Sequence, residues 1–253
     1  MKYSGSPRRD WFYNECQNSG VDYQRSEVVK KYEGRHSGFR NFAEEARRMM
    51  DRINSVRRAK GLGPVSPERQ LACLVDLGCG TGALALELAH WFMTINEVDV
   101  SEGMLGVLEE KLASLPPERA ECRFNLFHDG FLTYRHEGVP ADVVLSSISL
   151  HHIPDFWKVC ALDRISRILA PNGLFYLTDV IFTFPATDWE AGTQDVLDTM
   201  SAAAGKEANL HLEREYSTYS WIMEAMFEKT GLRIESVHDE TPFLRTYVCS
   251  KQD

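Results

Sequence analysis

Residues 75–82 read Val75-Asp76-Leu77-Gly78-Cys79-Gly80-Thr81-Gly82. The run that leads in, Leu71–Leu77, is apolar enough for a buried strand. The run that leads out, Thr81–Trp91, is rich in alanine and leucine and reads as a helix. Glycines at 78, 80 and 82 clear the side chains that would block a ligand from the strand-to-helix turn, and they permit its unusual dihedrals. Asp76, at the strand's end, can orient the loop or meet a ligand's ammonium group through water. Taken alone, the loop is as readily a steric turn as a ligand site. Gly78-x-Gly80-x-x-Ala83 also fits the looser dinucleotide fingerprint, so a nicotinamide dinucleotide is a rival ligand.

The same alternation continues downstream. Strands are predicted at Thr94–Val100, Arg123–Phe127, Ala141–Ser146 and Leu174–Thr178, with helices at Glu102–Leu115 and Phe156–Leu169. Apolar strands separated by helices specify a parallel sheet covered on both faces, and right-handed crossovers make it doubly wound. Helix Ser220–Thr230 and strands Leu232–Val237 and Thr246–Ser250 close the chain. Too few residues separate those two strands for a crossover helix, so they should pair antiparallel. The fold class is therefore α/β, with a doubly wound, mostly parallel sheet over residues 71–253. Residues 186–216 are polar and helix-permissive, and read as a lid-like insertion. Upstream, Phe42, Ala46, Met49, Met50, Ile53 and Val56 form an apolar stripe on a charged helix. Residues 1–70 read as a helical amino-terminal cap ended at Gly61-Leu62-Gly63-Pro64.

The chain has 253 residues, 43% hydrophobic and 26% charged, enough for a substantial core. The first fifteen residues hold no signal-peptide core, and no apolar run approaches the length of a membrane span, so a cytoplasmic protein is expected. Six scattered cysteines with no C-x-x-C pair read as reduced thiols. No ligand spacing for a metal is seen, and none is expected. A net charge of −9 speaks against a nucleic-acid partner. Residues 25–60, however, carry eleven Arg and Lys against five acids. Nothing fixes the oligomeric state, and a homodimer is compatible with it.

Asp99 ends the second strand, where a carboxylate can accept hydrogen bonds from both hydroxyls of a ribose. Ser101 is the better cap for the following helix, which leaves Asp99 for the ligand. With these residues in place, the chain resembles the class I S-adenosylmethionine (SAM)-dependent methyltransferases, in particular the small-molecule branch of the ubiquinone/menaquinone type. The matching segments are Val75–Gly82, Glu97–Ser101 with Met104-Leu105, His128-Asp129-Gly130, Asp142–Ser147, Leu150–Asp155 and Arg167–Asp179. They cover about residues 70–180.

The resemblance implies a seven-stranded sheet with the last strand antiparallel, and SAM as cofactor. It implies that Gly78 and Gly80 pass beneath the methionine part, with Ser146 placing backbone near its amino acid end, and Asp76, Cys79 and Gly82 are expected among the cofactor-binding residues. Asp99 would hold the ribose, Asp129 the adenine amino group, with Gly130 and Phe131 beside the ring, and Val100 and Met104 are expected among the cofactor-binding residues. Two residues depart from the family pattern: Glu97, where a small or apolar residue is usual, and Asn172, in place of a glycine. A dehydrogenase commonly has a distinct substrate domain, and no segment of that size follows here.

Methyl transfer needs an uncharged nucleophile held in line with the sulfonium methyl, and many acceptors must also lose a proton. His151 and His152, just past the fourth strand, are candidate bases, and Asp179 at the end of the fifth can orient substrate or base. Packing, capping and turn formation are the plain alternatives for all three. Arg35 or Arg40 suits the cofactor carboxylate, and Tyr13, Tyr23 and Tyr32 suit an amino-terminal lid. Trp189, His211, Tyr216, Tyr219 and Trp221 in the insertion suit an apolar pocket. A small-molecule acceptor is the expected partner. RNA or protein methylation and a non-catalytic SAM-binding module are the competing readings.

Overall fold

The computed structural model describes residues 11–16, 40–115, 121–204 and 207–252, with no side-chain account at 202–204 and 207. Among the described residues there are eight strands: β1 (Leu71–Leu77), β2 (Phe92–Asp99), β3 (Arg123–His128), β4 (Ala141–Ser147), β5 (Leu169–Phe182), β6 (Thr218–Tyr219), β7 (Leu232–Asp239) and β8 (Leu244–Lys251). Seven α-helices among the described residues accompany them: α1 (Phe42–Ala59), α2 (Ala83–Leu88), α3 (Glu102–Ala113), α4 (Asp155–Ile168), α5 (Trp189–Ala204), α6 (Glu207–Arg214) and α7 (Ser220–Lys229).

The sheet order is β3-β2-β1-β4-β5-β8-β7, with β6 paired to β5 off this path. β3, β2, β1, β4 and β5 are mutually parallel, and β8 runs antiparallel to both β5 and β7. The order reverses between β1 and β4, so the carboxyl ends of those strands border the crevice in which such sheets bind ligands.

α1 is framed by the residues its sequence supplies. The Asn41 side chain accepts from the Glu44 amide, Glu44 and Glu45 occupy the first turn, and Arg57 and Arg58 the last. Its stripe of Ala46, Met49, Met50, Ile53 and Val56 is buried against Leu74, Val143, Tyr176 and Val248. Each large side chain there contributes roughly 1.5–3 kcal/mol of burial. Of the expected 1–70 cap, then, residues 42–59 form a layer of the sheet's own core. The expected lid residues Tyr23 and Tyr32, and Arg35 with them, lie outside the described residues. Among the described residues, no helix is long and apolar enough to cross a membrane.

The opposite face is covered by α4 and α7, which pack Leu162, Ile165, Met223 and Phe227 against Val75, Val144 and Phe175. Phe227 is fully buried, with its ring 5.1 Å from Tyr247 and 6.3 Å from Phe175. Phe227→Ala should cost about 3–5 kcal/mol. For a domain of this size that lowers the melting temperature by roughly 6–20 °C. Thermal unfolding followed by circular dichroism measures it, and a shift of a degree or less would mean that this layer packs differently.

β5 is longer than its apolar core predicts. Asn172 takes φ +65°, in the left-handed region, which asparagine tolerates better than most residues. A Cβ on Gly173 would stand 2.8 Å from the Ala141 carbonyl. The Pro171-Asn172-Gly173 segment is thus a kink within the strand, and strand pairing continues on both sides of it.

Candidate active site

The chain leaves β1 through Gly78, Gly80 and Gly82 with φ of +76°, +56° and +69°. The amides of Gly78 and Cys79 donate to the Val98 carbonyl at 2.8 and 3.1 Å, which folds the loop over the end of β2. A Cβ at position 78 would lie 1.7 Å from Ser149 Oγ, and one at position 82 would lie 2.4 Å from Leu108 Cδ1 on α3. Glycine is therefore required here twice over, by dihedral and by space.

Asp99 is built into this loop. One carboxylate oxygen accepts from the Gly80 amide and the other from the Ser101 amide, both at 2.8 Å. Each oxygen keeps a further lone pair for a ligand. Ser101 caps α3 by accepting from the Met104 amide. The Asp129 amide donates to the Asp99 carbonyl at 3.1 Å, which fixes the β3 exit beside the β2 exit. Asp129, Gly130 and Phe131 are buried, while Cys79 and Val100 are half-buried.

The residues expected to hold the cofactor thus gather at the carboxyl ends of β1 to β4. Asp76 is buried, and its burial together with neighbouring Asp99 raises its pKa to about 7, with Arg40 acting in the opposite direction. Ser146 is fully buried, and its Oγ has no hydrogen-bond partner among the described residues. A glycine cradle that a Cβ would fill and an unpartnered buried hydroxyl fit a bound polar ligand. Of Arg35 and Arg40, the structure places Arg40, whose Nη2 donates to Ser147 Oγ at 3.0 Å and whose guanidinium pairs with Glu45.

Under the loop, Glu97 is fully buried, with neither carboxyl oxygen in a directed hydrogen bond. Burial and nearby Asp76 hold its pKa well above the carboxylate range, and burial with nearby Glu97 pushes the Cys79 thiol up. The sequence marked Glu97 as a departure, but its cost shows only in three dimensions.

β4 ends in strain. Ile148 takes φ +54°, rare for a β-branched residue, while its amide donates to the Thr178 carbonyl at 2.7 Å. This bend delivers Ser149 to Gly78 and His151 to Asp179. His151 is buried; its amide donates to Asp179 Oδ2 at 3.1 Å and its Nδ1 contacts Asp179 Oδ1. Its Nε2 lies 3.3 Å from Glu215 Oε2. Burial alone would depress this imidazole, but the two carboxylates hold it up at about 9. Both ring nitrogens of His151 thus face carboxylates, Nδ1 toward Asp179 and Nε2 toward Glu215. His152 is less buried, and desolvation and His151 lower it to about 3. Glu215 and His211, absent from the expected catalytic set, belong to the same cluster.

Two segments cross this end of the sheet. In residues 11–16, Glu15 Oε2 accepts from the Leu132 amide at 3.0 Å, and the Tyr13 hydroxyl donates to the His152 carbonyl at 3.4 Å. Phe12 and Tyr13 pack on Trp157. The insertion supplies α5 and α6, whose Val196, Met200 and Ala208 pack with Phe182, Phe184 and Phe243. Its return is tied down where the Tyr216 amide donates to the His151 carbonyl at 2.8 Å. Lys158, 1% exposed, bridges Asp155 and the Tyr216 carbonyl.

Residues 74–173 match the model of a methyltransferase domain. An uncharacterized methyltransferase of Schizosaccharomyces pombe is 33% identical over 112 residues, which are 43% of this chain and 38% of that protein. The chain therefore matches well under half the length of that relative. An uncharacterized methyltransferase of Bacillus mycoides is 29% identical over 168 residues, covering 64% of this chain and 69% of its own length. In fold, the magnesium protoporphyrin IX methyltransferase of Synechocystis, solved with bound SAH, superposes with a TM-score of 0.61 at 16% identity, covering 91% of this chain and 97% of that one. The glycine loop and strands β2 to β4 lie within the segment that matches the methyltransferase-domain model, and the α/β fold is that of SAM-dependent methyltransferases of known structure.

Proposed function

We propose that the protein transfers a methyl group from SAM to a small organic acceptor held between the sheet's carboxyl end and its two covering segments. The observation that carries this reading is the Asp99 carboxylate. It is anchored by two backbone amides at the end of β2, and its free lone pairs suit a ribose diol. Gly78, Cys79, Gly80 and Gly82 would admit the methionine part, Asp76 and Arg40 would meet its ammonium and carboxylate, and Asp129, Gly130 and Phe131 would take the adenine. Val100, Met104 and Ser146 would complete the lining.

SAM supplies an electrophilic methyl group, and this chain's residues position the acceptor. His152 would touch the acceptor, while His151 and Asp179 hold the β4 exit in place. A small acceptor is favoured because Glu15 and Tyr13 reach the β3 and β4 exits and the return from α6 meets His151 through the Tyr216 amide, which narrows that end of the sheet. RNA is disfavoured by the net charge of −9, and within the basic stretch Arg40, Arg52 and Lys60 are paired inside the fold with Glu45, Glu240 and Glu235.

Calorimetry with SAM, its demethylated product and NAD, followed by a tritiated-methyl screen of thiols, phenols, amines, tRNA and basic protein, tests the reading. SAM binding with label in a small molecule is expected. NAD binding without SAM binding would overturn the cofactor assignment, and label confined to macromolecules would overturn the acceptor class.

A further inference from the structure

The cluster behind the β4 exit is richer in metal-binding groups than methyl transfer requires. His151 from the β4 exit, His211 from α6 and Glu215 just beyond α6 bring one ligand atom each to within 4.8 Å of one another. His211 and Glu215 stand one helical turn apart, and the Glu215 amide donates to the His211 carbonyl at 3.0 Å. The side chains are 4%, 11% and 6% exposed. We propose that His151 Nε2, His211 Nδ1 and the Glu215 carboxylate form a binding site for one divalent transition-metal cation of the zinc type, clasping the insertion to the ends of β4 and β5.

Three independent features point to a cation. First, each imidazole has its other nitrogen already oriented: His151 Nδ1 by Asp179, and His211 Nε2 by Ser217 Oγ at 2.9 Å. A carboxylate or hydroxyl behind a histidine is the usual outer support of a metal ligand, since it fixes the tautomer that presents the coordinating nitrogen. Second, Glu215 Oε2 lies against both imidazoles, yet it is buried without hydrogen-bond geometry to either. Its 3.3 Å separation from His151 Nε2 is the edge of a tetrahedron with metal–ligand distances of about 2.0–2.1 Å. Third, two carboxylates with almost no exposed side chain, Asp179 and Glu215, converge on this one space from β5 and from beyond α6, which concentrates negative charge where a divalent ion would sit. Lys158, the nearby buried cation, is occupied by Asp155 and the Tyr216 carbonyl. Two histidines and one glutamate leave a fourth position for solvent or a heteroatom ligand.

The test uses the full chain, stripped with a chelator and titrated with Zn2+ or Co2+ alone. One equivalent should bind and raise the melting temperature. Co2+ should give the visible bands of a tetrahedral nitrogen and oxygen site without a thiolate charge-transfer band. Glu215→Gln and His211→Asn should each weaken binding by at least ~10-fold, and Asp179→Asn by roughly 10–100-fold. The spectrum of the unaltered chain decides the matter if a variant fails to fold. No saturable binding of either metal would overturn the site, as would a thiolate band or affinities unmoved by the substitutions. SAM affinity is measured in the same samples by calorimetry. The clasp can therefore fail while cofactor binding stands, and the reverse.

Discussion

Asp99→Ala should weaken SAM binding by at least about 100-fold while leaving the protein folded. Two hydrogen bonds from ribose hydroxyls to a charged carboxylate are each worth about 1.5–3 kcal/mol. Their loss corresponds to roughly 10²–10⁴ in affinity. The same change frees the Gly80 and Ser101 amides, which now donate to Asp99. The loop then loses its preset shape as well as its ligand contact. Fold survives because Asp99 is at the rim of the sheet and the amides it releases can turn to water. Gly80→Val should act in parallel, since the residue it replaces sits at φ +56°. Calorimetry reads the affinity and circular dichroism the fold. Unchanged affinity in folded Asp99→Ala would place the cofactor elsewhere.

Glu97→Met should do the opposite and make the protein more stable. The wild-type side chain is fully buried without a directed hydrogen bond. Replacing it with an apolar chain of similar length removes a penalty of about 1–3 kcal/mol for an unsatisfied buried group. A further gain depends on pH. The folded-state pKa of Glu97 is raised, so the folded chain keeps a proton that the unfolded chain sheds. Wild-type stability is therefore lost as pH rises from the unfolded-state value toward the folded one. The advantage of Glu97→Met should be smaller at pH 5 and larger at pH 8, as read by urea unfolding at both. An advantage that shrinks as pH rises would show that Glu97 is ionised and partnered in the fold. A carboxyl retained at such cost, directly under the glycine loop, is also the natural place to look for a change in cofactor affinity.

Much of the frame could be read from sequence because its determinants are local. Leu71–Leu77 begins and ends where its apolar run does, and Ser101 caps α3 as expected. The antiparallel closing strands follow from a connection too short for a helix. The glycine loop, Asp99 and Asp129 fall together at adjacent strand ends because parallel strands in register bring successive exits side by side.

Other features depend on long-range contacts that no local pattern encodes. The full span of β5 was hidden because Pro171-Asn172-Gly173 looks like a terminator. It continues only because Asn172 accepts a left-handed φ and Gly173 has room against Ala141. The apolar stripe of α1 is legible at helical spacing, but its packing against Leu74, Val143 and Val248 of the sheet is set only by tertiary folding. His211 and Glu215 have legible helical spacing, yet only tertiary folding sets them against His151. The strained Ile148 that makes the meeting possible leaves no mark in the sequence at all.

The parallel pairing of β6 with the end of β5 has a consequence for how such a chain can diversify. Ile181 and Phe182 lie opposite Thr218 and Tyr219, so the insertion departs and returns one strand spacing apart, about 4.8 Å. Everything between those points is a loop whose ends are already closed, and the entropy of closure grows only slowly with its length. The segment is in effect an interchangeable cassette. Its helices can be lengthened, shortened or replaced while β1 to β4 and the glycine turn keep their register.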